Sequence, residues 1–514
     1  MDRLRIIMGY LESGKKRLII FSGVLLIVIL LFNGFYHLGS GNIRRWDESL
    51  YGITACEMLD NGNYIMHTLD YTVDYWNLKP ALAFYGNLVG FMIFGKNLFG
   101  LRFFSVIAYL LIAGMMFLFV RREAGLPAAF VSCFAFASAP PNWVHCFVSG
   151  DPDSWFILFV FASFICLWNS LKRGWLLPAA AYLMALAFLT KSFHAGPYGL
   201  FSLVWVAVYH KKYRWHQMLS AVPAIVLPVW IWAAARYHFD GWNFFRAMID
   251  LDLLGRVNNG TPDHNPSPWF TYLVRLNHFL LVIPLFLSAG AVFAGQYLRG
   301  NAWLTGQTRR FYLWNLGYFW WIILLYSCCT IKLEWYIWPC LPFLAVMTGL
   351  HFQLAFEWLR ESLQPGFRGK KNQAVISLLI LFSFLIWLGI AEGKAVRFHI
   401  KRNKQQDILL WQTGSREYAG LHFYSVDFSG KYIPVPKDLL LILRFLSCRV
   451  VDQGNIAGFI ASGYHQYLLG TFDEASSPAN LQHLAETFAA RHSLNLVRCQ
   501  DKTALFRKKT IPPR

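Results

Sequence analysis

The chain has 514 residues, of which 56% are hydrophobic, 18% aromatic and only 15% charged, with a formal net charge of +19. So apolar a composition excludes a soluble globular protein. The basic excess does not call for a nucleic-acid partner, because Lys and Arg flanking apolar runs are explained by membrane orientation.

Lys15-Lys16-Arg17 precede the first apolar run and place the N-terminus in the cytoplasm. That run is too long for a signal peptide and lacks a small-residue cleavage site, so it is expected to remain as an anchor. Length and hydropathy predict about eleven spans, at 18–38, 98–120, 126–148, 155–171, 175–189, 193–209, 217–235, 279–295, 311–331, 335–356 and 374–391. If 80–95 lies flat on the far surface, the later basic groups all fall on the cytoplasmic side. These are Arg121-Arg122, Lys172-Arg173, Lys211-Lys212-Arg214, Arg299 with Arg309-Arg310, and Arg368 with Lys370-Lys371. The expected location is the cell inner (plasma) membrane, crossed many times.

Acids gather on the other side. The far-side segments, about 39–97, 149–154, 190–192, 236–270, 332–334 and the tail from 392, hold Asp47, Glu48, Glu57, Asp60, Asp70, Asp74, Asp151, Asp153, Asp240, Asp250, Asp252 and Asp263. DESLYGITACEMLDNG (47–62) has apolar residues at helical spacing and a stop at Asn61-Gly62, which predicts a surface-lying amphipathic helix opened by Asp47-Glu48. Taken alone, that acid pair reads as a helix cap. NLKPALAFYGNLVGFMIFG (77–95) sets Lys79 before a proline, as an interfacial lysine or as a cation facing phosphate. SGDPDSW (149–155) places Asp151 and Asp153 at the mouth of a span, where carboxylates are costly and often functional. FLTKSF (188–193) puts Lys191 at a span end, TPDHNPSPW (261–269) carries His264 downstream of Arg256, and KLEWYIWPCLP (332–342) supplies Lys332 and Tyr336.

The composition changes at the tail. A basic stretch (Lys394, Arg397, Lys401, Arg402, Lys404) leads into a strand-like GLHFYSVDF (420–428) and a helix near 479–492. The expected fold class is an all-α polytopic membrane protein, with surface-lying amphipathic helices and a small C-terminal α/β soluble domain. The domains are expected at 1–391 and 392–514. Cys448 and Cys499 lie in the tail without a spacing that marks a disulfide.

These motifs, in this order, resemble the GT-C type polyprenyl-phosphate-sugar-dependent glycosyltransferases. The similarity is to the bacterial lipid A aminoarabinose transferases and, more distantly, the protein O-mannosyltransferases. WDESLYGITACEML is similar to the acid-pair helix of that family and NLKPALAFY to its Lys-Pro motif. GDPDSWF is similar to its second acidic site, FLTK to its Thr-Lys, and KLEWYIWPC to its last run. The resemblance spans roughly 40–345 and does not reach the tail.

The resemblance implies Asp47 and Asp153 as active-site carboxylates. Lys79, Tyr336 and Arg256 are implied to hold the donor phosphate, and His264 to stand at a metal or phosphate position. The family places a metal-ligating Glu before the Lys-Pro lysine, where this chain has Leu78, so a divalent metal is implied with an incomplete ligand set. No other cofactor is implied.

The residue types suit such chemistry. Displacing a sugar from phosphate needs a carboxylate base for the acceptor and cations for the departing phosphate. Asp47 is expected as the base, with Glu48 or Asp153 orienting the reactants and Asp151 binding acceptor or sugar. Lys79, Arg256, Lys191, Lys332 and Tyr336 are expected on the phosphate, and inversion follows if no sugar-enzyme bond forms. The expected partners are a polyprenyl-phosphate-linked sugar, membrane lipids, and lipid A, another glycan or a protein as acceptor. A transporter or flippase is the rival reading, and it expects ionisable residues near mid-span and repeat-related broken helices. A membrane scaffold would explain the tail but not the far-side cluster.

Overall fold

A computed structural model describes residues 2–41, 43, 47–259, 267–276, 306–362, 371–404, 418–451, 454–462, 467–472, 477–500 and 502–509. In chain order the helices are α1 (Asp2–Phe35), α2 (Asp47–Asn61), α3 (Leu82–Phe94), α4 (Leu98–Ala124), α5 (Leu126–Ala137), α6 (Asp153–Ser170), α7 (Leu176–Lys191), α8 (Gly196–Tyr209) and α9 (Trp215–Asp240). They continue as α10 (Asn243–Ala247), α11 (Thr271–Arg275), α12 (Gly306–Ser327), α13 (Leu341–Ser362), α14 (Lys371–Lys404), α15 (Lys437–Phe445), α16 (Ile456–Ala461) and α17 (Pro478–Arg491). The strands are β1 (Thr68–Leu69), β2 (Thr72–Val73), β3 (His422–Val426), β4 (Arg449–Val450), β5 (Tyr467–Thr471), β6 (Leu494–Gln500) and β7 (Thr503–Lys508).

The chain divides into two compact units. The first comprises Met1–Tyr36, Leu78–Ala83 and Phe104–His399, and the second His37–Asn77, Phe84–Phe103 and Ile400–Arg514.

The first unit is helical, with a core of aromatic and small side chains. Phe164, Tyr318 and Phe343 interlock at centroid distances of 4.1–5.3 Å, and Ala128, Ala135 and Ala345 let helices approach. Seven helical stretches among the described residues are long and apolar enough to cross a membrane: Lys16–Phe35, Leu98–Ala124, Asp153–Ser170, Leu176–Lys212, Trp215–Asp240, Glu334–Glu357 and Ser377–Lys401. Four expected spans differ. The one at 126–148 breaks after Ala137, because Pro140-Pro141 lead into a π-helical turn, Asn142–Cys146. Those at 175–189 and 193–209 form one apolar stretch, interrupted where Ser192 takes φ +52°. The span at 311–331 is α12, which carries Arg309 and Arg310 and is not among the seven. The span expected at 279–295 lies outside the described residues.

The second unit holds a mixed five-stranded sheet, in the order β4-β3-β5-β7-β6. β3 is parallel to β4 and β5, while β5-β7 and β7-β6 are antiparallel. α17 packs on this sheet, and Phe472, Phe488 and Phe506 fill the space between them. Its N-cap Ser477 accepts from Asn480 N at 3.2 Å. The strand expected at 420–428 is β3, and the helix expected near 479–492 is α17. Cys448 and Cys499 are free thiols. The boundary expected at 391/392 falls inside α14, which runs on to Lys404.

The helix expected at 47–62 forms and stops where Gly62 takes φ +65°. It does not lie open on a surface. Residues Glu48–Met58 are buried, and α2 packs against α15. α3 has 13 residues, about 20 Å of helix, too short for a hydrocarbon core of about 30 Å.

Candidate active site

In the first unit, three short chain breaks bring acids and lysines together. Asp153 opens α6 after Pro152, where a carboxylate favours the helix dipole. Lys191 ends α7 and forms an ion pair with Asp153 Oδ1, its Nζ also lying 5.9 Å from the Phe156 ring centre. The next residue, Ser192, donates to Asp252 Oδ2, and Lys79 Nζ donates to the two Asp252 oxygens at 2.8 and 2.7 Å. Asp252 lies in a π-helical segment, Met248–Asn259. Lys79, Asp153, Lys191 and Asp252 are each at least 93% buried. Each carboxylate therefore faces a cation, as burial of charge demands.

Asp151 Oδ2 accepts from Ser149 Oγ at 2.8 Å and is in hydrogen-bonding contact with His145 Nε2. The His145 ring stacks on Trp335 at 6.2 Å and meets the edge of Trp338 at 4.9 Å. Tyr336 is buried, with its ring 4.6 Å from His194 and 5.5 Å from Tyr326. Lys332 donates to the carbonyls of Ser267, at 2.9 Å, and Cys329, while Arg275 Nη1 donates to the Lys332 carbonyl at 2.9 Å. Its ammonium is thus engaged with main chain. The Arg256 side chain and His264 lie outside the described residues.

In the second unit, the two acids that open α2 have different surroundings. Glu48 is fully buried and accepts from Arg102 Nε at 2.6 Å and Nη2 at 3.0 Å. Arg102 Nη1 donates to the carbonyls of Leu38, at 3.0 Å, and Ser40, at 2.9 Å. Asp47, one residue earlier, is partly exposed. Farther along, Glu57 meets Arg444, Thr68 and Tyr71.

Asp252, Ser192, His145, Arg102 and Arg444 are not among the site residues expected from sequence. Lys79 and Asp252 are 173 positions apart, and no local spacing announces such a pair. Arg102 carried a signal, since a charge inside an apolar run requires a partner.

Among the described residues, no three His, Cys, Asp or Glu side chains group as metal ligands. Leu78, 3% exposed, puts a buried apolar side chain before Lys79. The described residues do not assemble a donor set for a divalent ion.

The family model described as dolichyl-phosphate-mannose-protein mannosyltransferase matches residues 79–232. The chain is 28% identical over 387 residues to an undecaprenyl phosphate-α-4-amino-4-deoxy-L-arabinose arabinosyl transferase of Shewanella sediminis, covering 73% of this chain and 67% of that one. It is 30% identical over 349 residues to such a transferase of Pseudomonas fluorescens, covering 63% and 58%. The fold is similar to that of ArnT from Cupriavidus metallidurans bound to undecaprenyl phosphate, with a TM-score of 0.64, 18% identity and coverage of 94% and 97%. The chain thus resembles the GT-C glycosyltransferases of the aminoarabinose transferase and protein mannosyltransferase superfamily. The match at 79–232 includes Lys79, Asp151, Asp153 and Lys191. The chain spans 58–67% of the lengths of the two curated relatives.

Proposed function

We propose that the protein is an integral-membrane glycosyltransferase. It moves a sugar from a polyprenyl-phosphate carrier to lipid A, another glycan or a protein on the extracytoplasmic face. The observation that carries this reading is the buried set Lys79–Asp252 and Asp153–Lys191, a group of cations and carboxylates suited to holding a sugar phosphate.

Lys79, with Tyr336, Arg256 and Lys191, binds the donor phosphate, and Asp153 orients the sugar. Asp47 takes the proton of the acceptor oxygen as that oxygen attacks the anomeric carbon. The bond from that carbon to phosphate oxygen breaks, its electron pair stays on the phosphate, and the lysines stabilise the charge. A single displacement inverts the anomeric centre. Glu48, held by Arg102, serves to fix α2.

Glycolipid mass profiling of a deletion strain tests this function. Loss of one sugar mass from lipid A or a surface glycan, restored by the cloned chain, is the expected result. An unchanged set of glycan masses with altered uptake of a solute would favour a transporter.

A further inference from the structure

The C-terminal part of the second unit supplies a buried cation to the helix that carries Asp47. Arg444, on α15, is fully buried. Its Nε donates to Glu57 Oε1 at 2.8 Å, its Nη2 pairs with Asp70, and its Nη1 donates to the Cys448 carbonyl at 2.8 Å. Burial opposes the Arg444 charge, yet Glu57 and Asp70 hold its pKa above the ordinary arginine value.

Glu57 lies on α2, just under three turns beyond Asp47. Its Oε2 accepts from Thr68 Oγ1 at 2.6 Å and from the Tyr71 amide at 3.0 Å. Those residues belong to the β1-β2 hairpin, whose turn residues Asp70 and Tyr71 take φ +56° and +60°. Two successive non-glycine residues in the left-handed region are costly and need outside support. Arg444 gives it, pairing with Asp70 and lying 4.6 Å over the Tyr71 ring. At Gly52, midway along α2, a Cβ would come within 2.8 Å of Leu441 Cδ1 and 3.2 Å of Leu101 Cδ1. The helix is therefore seated closely on α15 and held by two buried guanidinium groups, Arg102 at its first turn and Arg444 at Glu57.

We infer that Arg444 is a positioning residue for Asp47. By fixing Glu57 and the hairpin, it sets the rotation and tilt of α2, and with them the direction of the Asp47 carboxylate. This rests on the base role proposed for Asp47. A buried ion pair contributes little net stability compared with apolar packing, whereas it does define one register. A misplacement of about 1 Å costs on the order of 10²-fold in rate, and lysine cannot reproduce the fork of bonds that arginine makes to Glu57, Asp70 and Cys448.

The test complements the deletion strain with full-length Arg444→Met, Arg444→Lys, Glu57→Gln and Asp47→Asn. Product per folded protein is read beside the melting temperature and the affinity of each purified variant for undecaprenyl phosphate. Arg444→Met is expected to lower product about 10- to 100-fold with undecaprenyl phosphate affinity unchanged, and Arg444→Lys to recover part of it. Wild-type product per folded Arg444→Met, or a loss matched by the fall in undecaprenyl phosphate affinity, overturns the inference. If Arg444→Met fails to accumulate, the near-isosteric Glu57→Gln is judged by the same criteria. An inactive Asp47→Asn beside fully active Arg444→Met and Glu57→Gln defeats this inference alone. A fully active Asp47→Asn defeats the base assignment beneath it.

Discussion

Lys79 and Asp252 share a two-pronged ion pair across 173 positions of sequence, with Nζ 2.8 and 2.7 Å from the carboxylate oxygens. A phosphate that binds at Lys79 must share or replace that carboxylate. On the proposed reading the pair serves both the fold and the donor, so a single substitution confounds the two.

Lys79→Ala removes the Lys79 charge from a buried aspartate, which costs about 3–5 kcal/mol and lowers the melting temperature. Lys79→Met with Asp252→Asn removes both charges and is expected to recover most of that stability. Affinity for undecaprenyl phosphate should remain at least about tenfold weakened, the equivalent of 1.4 kcal/mol. Wild-type affinity in the double variant would exclude Lys79 from phosphate binding.

Glu48 and Arg102 form the corresponding pair in the second unit, with both carboxylate oxygens engaged. Arg102→Met should destabilise by about 3–5 kcal/mol and lower the yield. Glu48→Gln should lower the melting temperature and, by loosening α2, lower turnover per folded protein to a degree comparable with Glu57→Gln rather than abolish it. A Glu48→Gln protein with a normal melting temperature and no product would return Glu48 to the chemistry.

The way these elements were and were not legible has physical reasons. Most spans could be read because apolar runs of membrane length have few other uses. The end of α14 could not, because hydropathy falls near 391 while a helix-compatible sequence continues through Lys404. The strand around Phe423 and the helix from Pro478 showed through their periodicity. α2 read as surface-lying because the apolar faces of α2 and α15, far apart in sequence, give no sign that they meet. The motifs singled out Asp153, Lys79 and Lys191, but the partners of these three are long-range. Lys191 and Asp153 are 38 positions apart, and Arg444 and Glu57 are 387.

Leu78 cannot ligate a cation, so one metal donor implied by the family resemblance is missing from this chain. We expect product formation to be less sensitive to EDTA than in relatives that carry a glutamate at that position. Complete loss in EDTA, restored by zinc, would contradict this.

Orientation can be read with reporter fusions. The distribution of basic groups predicts residues 1–17 in the cytoplasm and the segment after α14 outside. Fusions after residue 365 and after Tyr418 flank the span Ser377–Lys401 and should report opposite compartments. The same compartment for both would remove a crossing and invalidate the far-side placement of the tail.

Asp47→Asn tests the central claim most directly. It keeps the size and part of the hydrogen bonding of the side chain while removing the proton acceptor. Measured as sugar transferred per folded protein in the complemented deletion strain, transfer should fall by roughly 10²–10⁴-fold, with normal membrane insertion and normal affinity for undecaprenyl phosphate. If Asp47 only caps α2, the variant should lose about 1 kcal/mol of stability or less and transfer at close to the wild-type rate. That outcome would contradict the account.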